Sequence, residues 1–136
     1  MLISDEYRQL NKDLHASHPA FGNDNFGWSK FAKTLVVGND YKSILDYGCG
    51  KGKLKIEMSD IHGIAVQEYD PAIEGKDAMP EPAELVVCTD VLEHIEPVHI
   101  NAVLRHLREL TKSGCLSRFI AARRARRSPM AAMRIC

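Results

Sequence analysis

Lys42-Ser43-Ile44-Leu45-Asp46-Tyr47-Gly48-Cys49-Gly50-Lys51-Gly52 is the stretch whose reading decides the fold. The apolar pair Ile44 and Leu45 predicts a short buried strand over residues 42–46. Three glycines spaced two apart predict a tight loop at 48–52. Glycine permits the sharp turn and lets the backbone approach a ligand closely. Residues 53–59 read as a helix. Strand, glycine loop and helix together open a βαβ arrangement.

Outward from this unit the alternation continues. Ile64, Ala65 and Val66 mark a second strand within 61–69, closed by Asp70-Pro71. Residues 71–83 are rich in Pro, Gly and Ala, with room for only a very short strand. Glu84-Leu85-Val86-Val87-Cys88-Thr89-Asp90 is a continuous apolar run, the pattern of a strand buried on both faces of a parallel sheet. A helix is predicted from Pro97 to about residue 111, with Ile100, Val103, Leu104, Leu107 and Leu110 as its apolar stripe. Proline suits a first helical turn. Residues 115–122 predict one more strand, after which no chain is left for two others. Upstream, a helix is expected around 5–15 and an amphipathic one over 26–36, carrying Trp28, Phe31, Ala32, Leu35 and Val36.

The fold class predicted is α/β: a Rossmann-like three-layer sandwich with a mostly parallel sheet, incomplete at its C-terminal edge. Ligands of such sheets bind beyond the carboxyl ends of the strands. The glycine loop, Asp70 and the segment Thr89–Pro97 all fall there. A dinucleotide loop would need G-x-G-x-x-G, and Lys53 stands where its third glycine belongs. That spacing disfavours a nicotinamide-dependent oxidoreductase.

Asp46-x-Gly48-x-Gly50-x-Gly52 resembles motif I of class I S-adenosylmethionine-dependent methyltransferases, the small phage and bacterial type included. The resemblance covers about residues 26–114. It implies S-adenosyl-L-methionine as cofactor and a methyl acceptor that the sequence leaves unidentified. It implies that Asp46, Gly48, Gly50 and Gly52 lie at the methionine end of that ligand. It assigns Asp70 to the ribose hydroxyls and lays Asp90 and Val91 against the adenosyl group. By position, Asp77, Ala78 and Met79 are candidates for the adenine. Thr89-Asp90-Val91-Leu92-Glu93-His94-Ile95-Glu96-Pro97 is similar to the segment that follows the fourth strand in many small methyltransferases. Three readings stay open for Asp90, Glu93 and His94. They brace the next helix, or His94 is a catalytic general base, or the three hold a divalent ion. The expectation adopted is His94 as the catalytic candidate and no metal. In the family a segment before motif I often covers the ligand, which nominates Tyr7, His15, His18, Phe21 and Trp28.

Composition bounds the rest. The 136 residues fit one domain, divided as a helical lid at 1–40, a ligand-binding core at 41–114 and an atypical tail at 115–136. No apolar stretch suggests a membrane span, and the N-terminus lacks the pattern of a secretory signal, so a cytoplasmic location is expected. Cys49, Cys88, Cys115 and Cys136 form no CxxC pair and read as free thiols. The zero net charge hides an asymmetry. Residues 111–136 hold seven basic residues and no acid, against eleven basic and eighteen acidic residues before them. Nucleic-acid binding by the arginines is one reading. The other is a frameshift in the gene near codons 114–117. A chain lacking the last strands also admits a non-catalytic remnant that binds S-adenosylmethionine without turnover.

Overall fold

Leu45 and Ile44 are neighbours in sequence, yet they belong to different cores. A computed structural model describes residues 1–19 and 27–119, with backbone alone at 119, and the backbone of 132–135. In it β1 (Ser43–Tyr47) pairs in parallel with β2 (Ala65–Tyr69) on one side and β3 (Ala83–Thr89) on the other. Side chains alternate across a strand. Ile44, Leu85 and Val87 therefore pack on one face, with Ala32 and Val36 of α2 (Trp28–Asn39) and Leu54 of α3 (Lys53–Glu57). Leu45, Val86 and Cys88 pack on the other, with Val103, Leu107 and Leu110 of α4 (Ile100–Leu110). Two cores on one sheet make the three layers of an α/β sandwich.

β4 (Thr111–Phe119) adds a parallel partner to β3, and β5 (Ala132–Ile135) runs antiparallel to β4. The sheet order is β2-β1-β3-β4-β5. The chain moves outward from β1 to β2, then returns across β1 to β3. The order reverses between β1 and β3, which opens a crevice at their carboxyl ends.

Four expectations are corrected. Residues 71–83 form turns and contribute no strand before Ala83, because their prolines and glycines cannot sustain a ladder. The strand expected at 115–122 begins at Thr111 and runs straight out of α4. A further strand, β5, exists where no chain seemed to remain. Its four residues, Ala-Met-Arg-Ile, are too short to announce themselves inside an arginine-rich stretch. The frameshift point at 114–117 falls within β4, whose residues from Gly114 to Arg118 pair in regular parallel register with β3. Leu104, expected in the buried stripe of α4, is 46% exposed.

These burial differences set a test. Leu45→Ala should cost about 2–5 kcal/mol, the range for deleting a buried leucine. Leu104→Ala should cost less than half as much. Urea unfolding of the two variants measures both.

Candidate cofactor and acceptor site

The glycine loop is held from below by the end of β2. The N–H groups of Gly48 and Cys49 donate to the Tyr69 carbonyl at 2.7 and 3.1 Å. The Gly50 N–H donates to Asp70 Oδ2 at 3.1 Å, and the Ala72 N–H donates to Asp70 Oδ1 at 3.0 Å. Lys76 Nζ donates to the Gly50 carbonyl at 3.3 Å and to Glu68 Oε1 at 3.2 Å. Glu68 and Asp70, two acids near one strand end, thus divide their work. Glu68 pairs with Lys76, and Asp70 fixes the loop.

Two glycines are required by their left-handed backbone, and Gly48 by space as well. Gly48 has φ +79°, and a Cβ there would collide with Val91. Gly52 has φ +78°, and a Cβ there would collide with the Glu68 carboxylate. The first contact joins the glycine loop to the segment after β3, so these two walls close on each other only because Gly48 has no side chain.

A cavity of about 380 Å³ lies at this crevice, within the range of small-molecule sites. Asp46, Gly48, Gly50 and Asp70 form one wall, Thr89, Asp90, Val91, Glu93 and His94 another. Asp46 and Asp70 are both buried, at 8% exposure. Gly52 stands at the start of α3, outside the cavity lining. Asp77, Ala78 and Met79 also lie outside it and are exposed. Pro71 and Ala72 occupy that end instead.

The third wall is α1 (Asp5–Ser17). Tyr7, Asn11 and His15 recur every four residues and present one helix face to the cavity, with Leu2 and Ile3 before them. The Ser4 Oγ caps the helix by accepting from the Tyr7 N–H at 3.1 Å. Ser4 in turn donates its N–H and its hydroxyl to the two oxygens of Glu96, each at 2.8 Å. At the other end His15 Nε2 lies 4.0 Å from Asp70 Oδ2. His18 is exposed and bonds Ser17, and Phe21 is outside the described residues.

Arg118 was hidden from sequence reasoning among the basic residues of the tail. It is buried, stacked 5.0 Å over the Trp28 ring, and its Nη1 donates to Asp90 Oδ1 at 3.1 Å and Oδ2 at 3.4 Å. The Asp90 N–H returns a bond to the Arg118 carbonyl at 3.2 Å. This exchange holds Asp90 at φ +55°, an uncommon conformation outside glycine. At least this arginine is committed to the fold rather than presented to nucleic acid. Leu92–His94 forms a single 3₁₀ turn, and no group of Asp, Glu, His or Cys among the described residues could hold a metal. His94 lines the cavity and is an exposed residue.

Burial shapes the titration here. It pushes the Cys49 thiol up to about 12, with Asp46 adding to the effect, so Cys49 stays a neutral thiol at physiological pH. Burial also lowers the His15 imidazole against the pull of Asp70, and lowers His106, whose Nδ1 meets the Tyr47 hydroxyl at 2.9 Å. Cys49 is a free thiol, Cys88 and Cys115 are buried, and Cys136 is outside the described residues.

Residues 23–132 match a family described as a methyltransferase domain. The chain belongs to that family. The match runs past the composition break at Gly114, through β4 to the first residue of β5. Among solved structures, the chain resembles magnesium protoporphyrin IX methyltransferase from Synechocystis PCC 6803, crystallised with bound SAM. Identity is 19%, the TM-score is 0.61, and the match covers 88% of this chain and 78% of that one. The likeness is one of fold. A search of curated proteins found no match. No helix among the described residues is long and apolar enough to cross a membrane.

Two outcomes are expected. Gly48→Ala should destabilise the chain by at least about 1–2 kcal/mol from its left-handed backbone alone. Adding Val91→Ala should recover the contact part of the loss, a coupling of about 0.5–3 kcal/mol in a double-mutant cycle. The two histidines resist protonation when folded, so the unfolded chain takes up more protons as pH falls through their ordinary value of 6.5. Stability should therefore be full above that pH and fall below it. His106→Asn should flatten the slope in urea titrations between pH 7 and 5.

Proposed function

We propose that this methyltransferase-domain chain binds S-adenosylmethionine in the cavity above β1 and β3 and transfers its methyl group to a second molecule. The bound cofactor would supply an activated methyl group on a sulfonium. The arrangement of Asp70 carries the reading. Its carboxylate is buried, each oxygen already accepts one backbone N–H, and each keeps capacity for another donor. That suits a pair of vicinal hydroxyls, as on a ribose.

The remaining residues divide along the cavity. Asp46, Gly48 and Gly50 receive the methionine end, where a bare backbone allows close approach. Gly52 shapes the loop from outside it. Val91 packs against the adenosyl part. Asp90 is proposed to act through Arg118, by fixing the wall on which Val91, Glu93 and His94 stand. His94 stays the candidate for proton transfer at the rim. Residues 1–40 serve as a lid through the Tyr7, Asn11 and His15 face of α1. Orientation of the acceptor towards the methyl group supplies much of the rate. A cytoplasmic site of action is part of the same reading.

The chain should bind S-adenosylhomocysteine and not NAD in calorimetric titration. Asp70→Asn should weaken S-adenosylhomocysteine at least about tenfold, the scale of losing a hydrogen bond to a charged group. Equal heats for both ligands, or none for either, would remove the proposal. Transfer of labelled methyl to a cell extract separates turnover from binding alone.

A further inference from the structure

Two side chains of the cavity wall carry buried polar atoms with no hydrogen-bond partner among the described residues: Glu93 Oε2 and Trp28 Nε1. A buried acceptor or donor left unpaired is costly, and such atoms in native structures call for an explanation. The other acids of the cavity differ. Asp70 accepts from Gly50 and Ala72, and Asp90 is held by Arg118. Glu93 stands on the short turn Leu92–His94, where packing of Leu92 and Ile95 against the α4-side core fixes its backbone.

Position along the cavity separates Glu93 from the ribose end. α1 lies across the opening. Its start is bonded to Glu96, three residues beyond Glu93, and its His15 turn reaches Asp70. Eleven residues of helix between Ser4 and His15 span about 16 Å. Glu93 follows β3 and precedes the Glu96 that holds the start of α1, whereas Asp70 ends β2 beside the His15 turn, so the acceptor is assigned to the Glu93 side if the ribose lies at Asp70.

We propose that Glu93 meets the methyl acceptor directly, with His94 at the rim passing its proton on, and that the acceptor is a proton-bearing amine or hydroxyl. The inference rests on the cofactor reading above. Glu93 Oε2 accepts the acceptor's N–H or O–H and aims the nucleophile's lone pair. The acceptor nitrogen or oxygen gains the methyl carbon, the breaking carbon–sulfur bond leaves its electron pair on sulfur, and the acceptor proton passes to the Glu93 carboxylate. The Trp28 N–H offers a donor to a second polar atom of the acceptor. An anionic acceptor, a carboxylate or phosphate, is repelled by the same wall.

Two ligands test this without knowing the acceptor. S-adenosylhomocysteine has a bare thioether, whereas sinefungin carries an amine where the methyl sulfonium stands. Calorimetry of the wild-type chain and of Glu93→Gln with both gives a ratio of affinities. Loss of the amine-to-carboxylate bond should cut the preference for sinefungin by at least about tenfold while S-adenosylhomocysteine affinity holds within about threefold. The retained S-adenosylhomocysteine affinity also shows that the variant is folded. An unchanged ratio, or an equal loss for both ligands, overturns the role of Glu93 and leaves the cofactor site standing. Failure of the wild-type chain to bind either ligand overturns both.

Discussion

A carboxylate withdrawn from water must find donors or give up its charge. Asp70 finds them in the backbone N–H groups of Gly50 and Ala72, so its burial is coupled to the shape of the glycine loop. The loop is in turn hung from the Tyr69 carbonyl and braced by Lys76. One acid at the end of β2 thereby fixes the floor of the cavity and leaves its own unused lone pairs facing the ligand space. Most of the remaining geometry follows from this tie. The loop can sit over β2 only because Gly48 and Gly52 accept positive φ, and Val91 can close against it only because Gly48 lacks a Cβ.

The sheet supplies the frame for that arrangement. The reversal of strand order between β1 and β3 sets two carboxyl ends side by side with no connecting helix between them. α1 spans the gap and is fastened at both ends by polar contacts, Ser4 to Glu96 and His15 near Asp70. None of its residues is buried, although Ile3, just before it, is. A helix held mainly by such contacts is poised at the low-stability end of the structure, as ligand-covering elements generally are. The reciprocal bonds of Asp90 and Arg118 do the opposite, locking the facing wall in place.

Much of this was legible in the sequence. The strand at 43–47, the loop at 48–52 and the apolar run at 83–89 announced an α/β sheet through patterns of two and of continuous burial. Asp46, Gly48, Gly50, Asp70, Asp90, Val91 and His94 do converge on one cavity. What stayed hidden depends on pairings distant in the chain. Arg118 looks like one more tail arginine until β4 places it beside Asp90, 28 residues earlier. Asn11 and Ser4 are ordinary polar residues until α1 is laid across the crevice. β5 carries no readable pattern, being four residues whose partner among the described residues is β4. Glu93 was visible as part of a motif, but its unpaired oxygen is a property of the folded wall.

The central claim is that the crevice between β1 and β3 holds S-adenosylmethionine with its ribose on Asp70. A crystal structure of the chain with S-adenosylhomocysteine addresses it directly. Both ribose hydroxyls should lie within hydrogen-bonding distance of the Asp70 carboxylate, with the amino-acid end over Gly48 to Gly50 and α1 covering the ligand. A ligand seated elsewhere, or one whose ribose does not touch Asp70, would contradict the account.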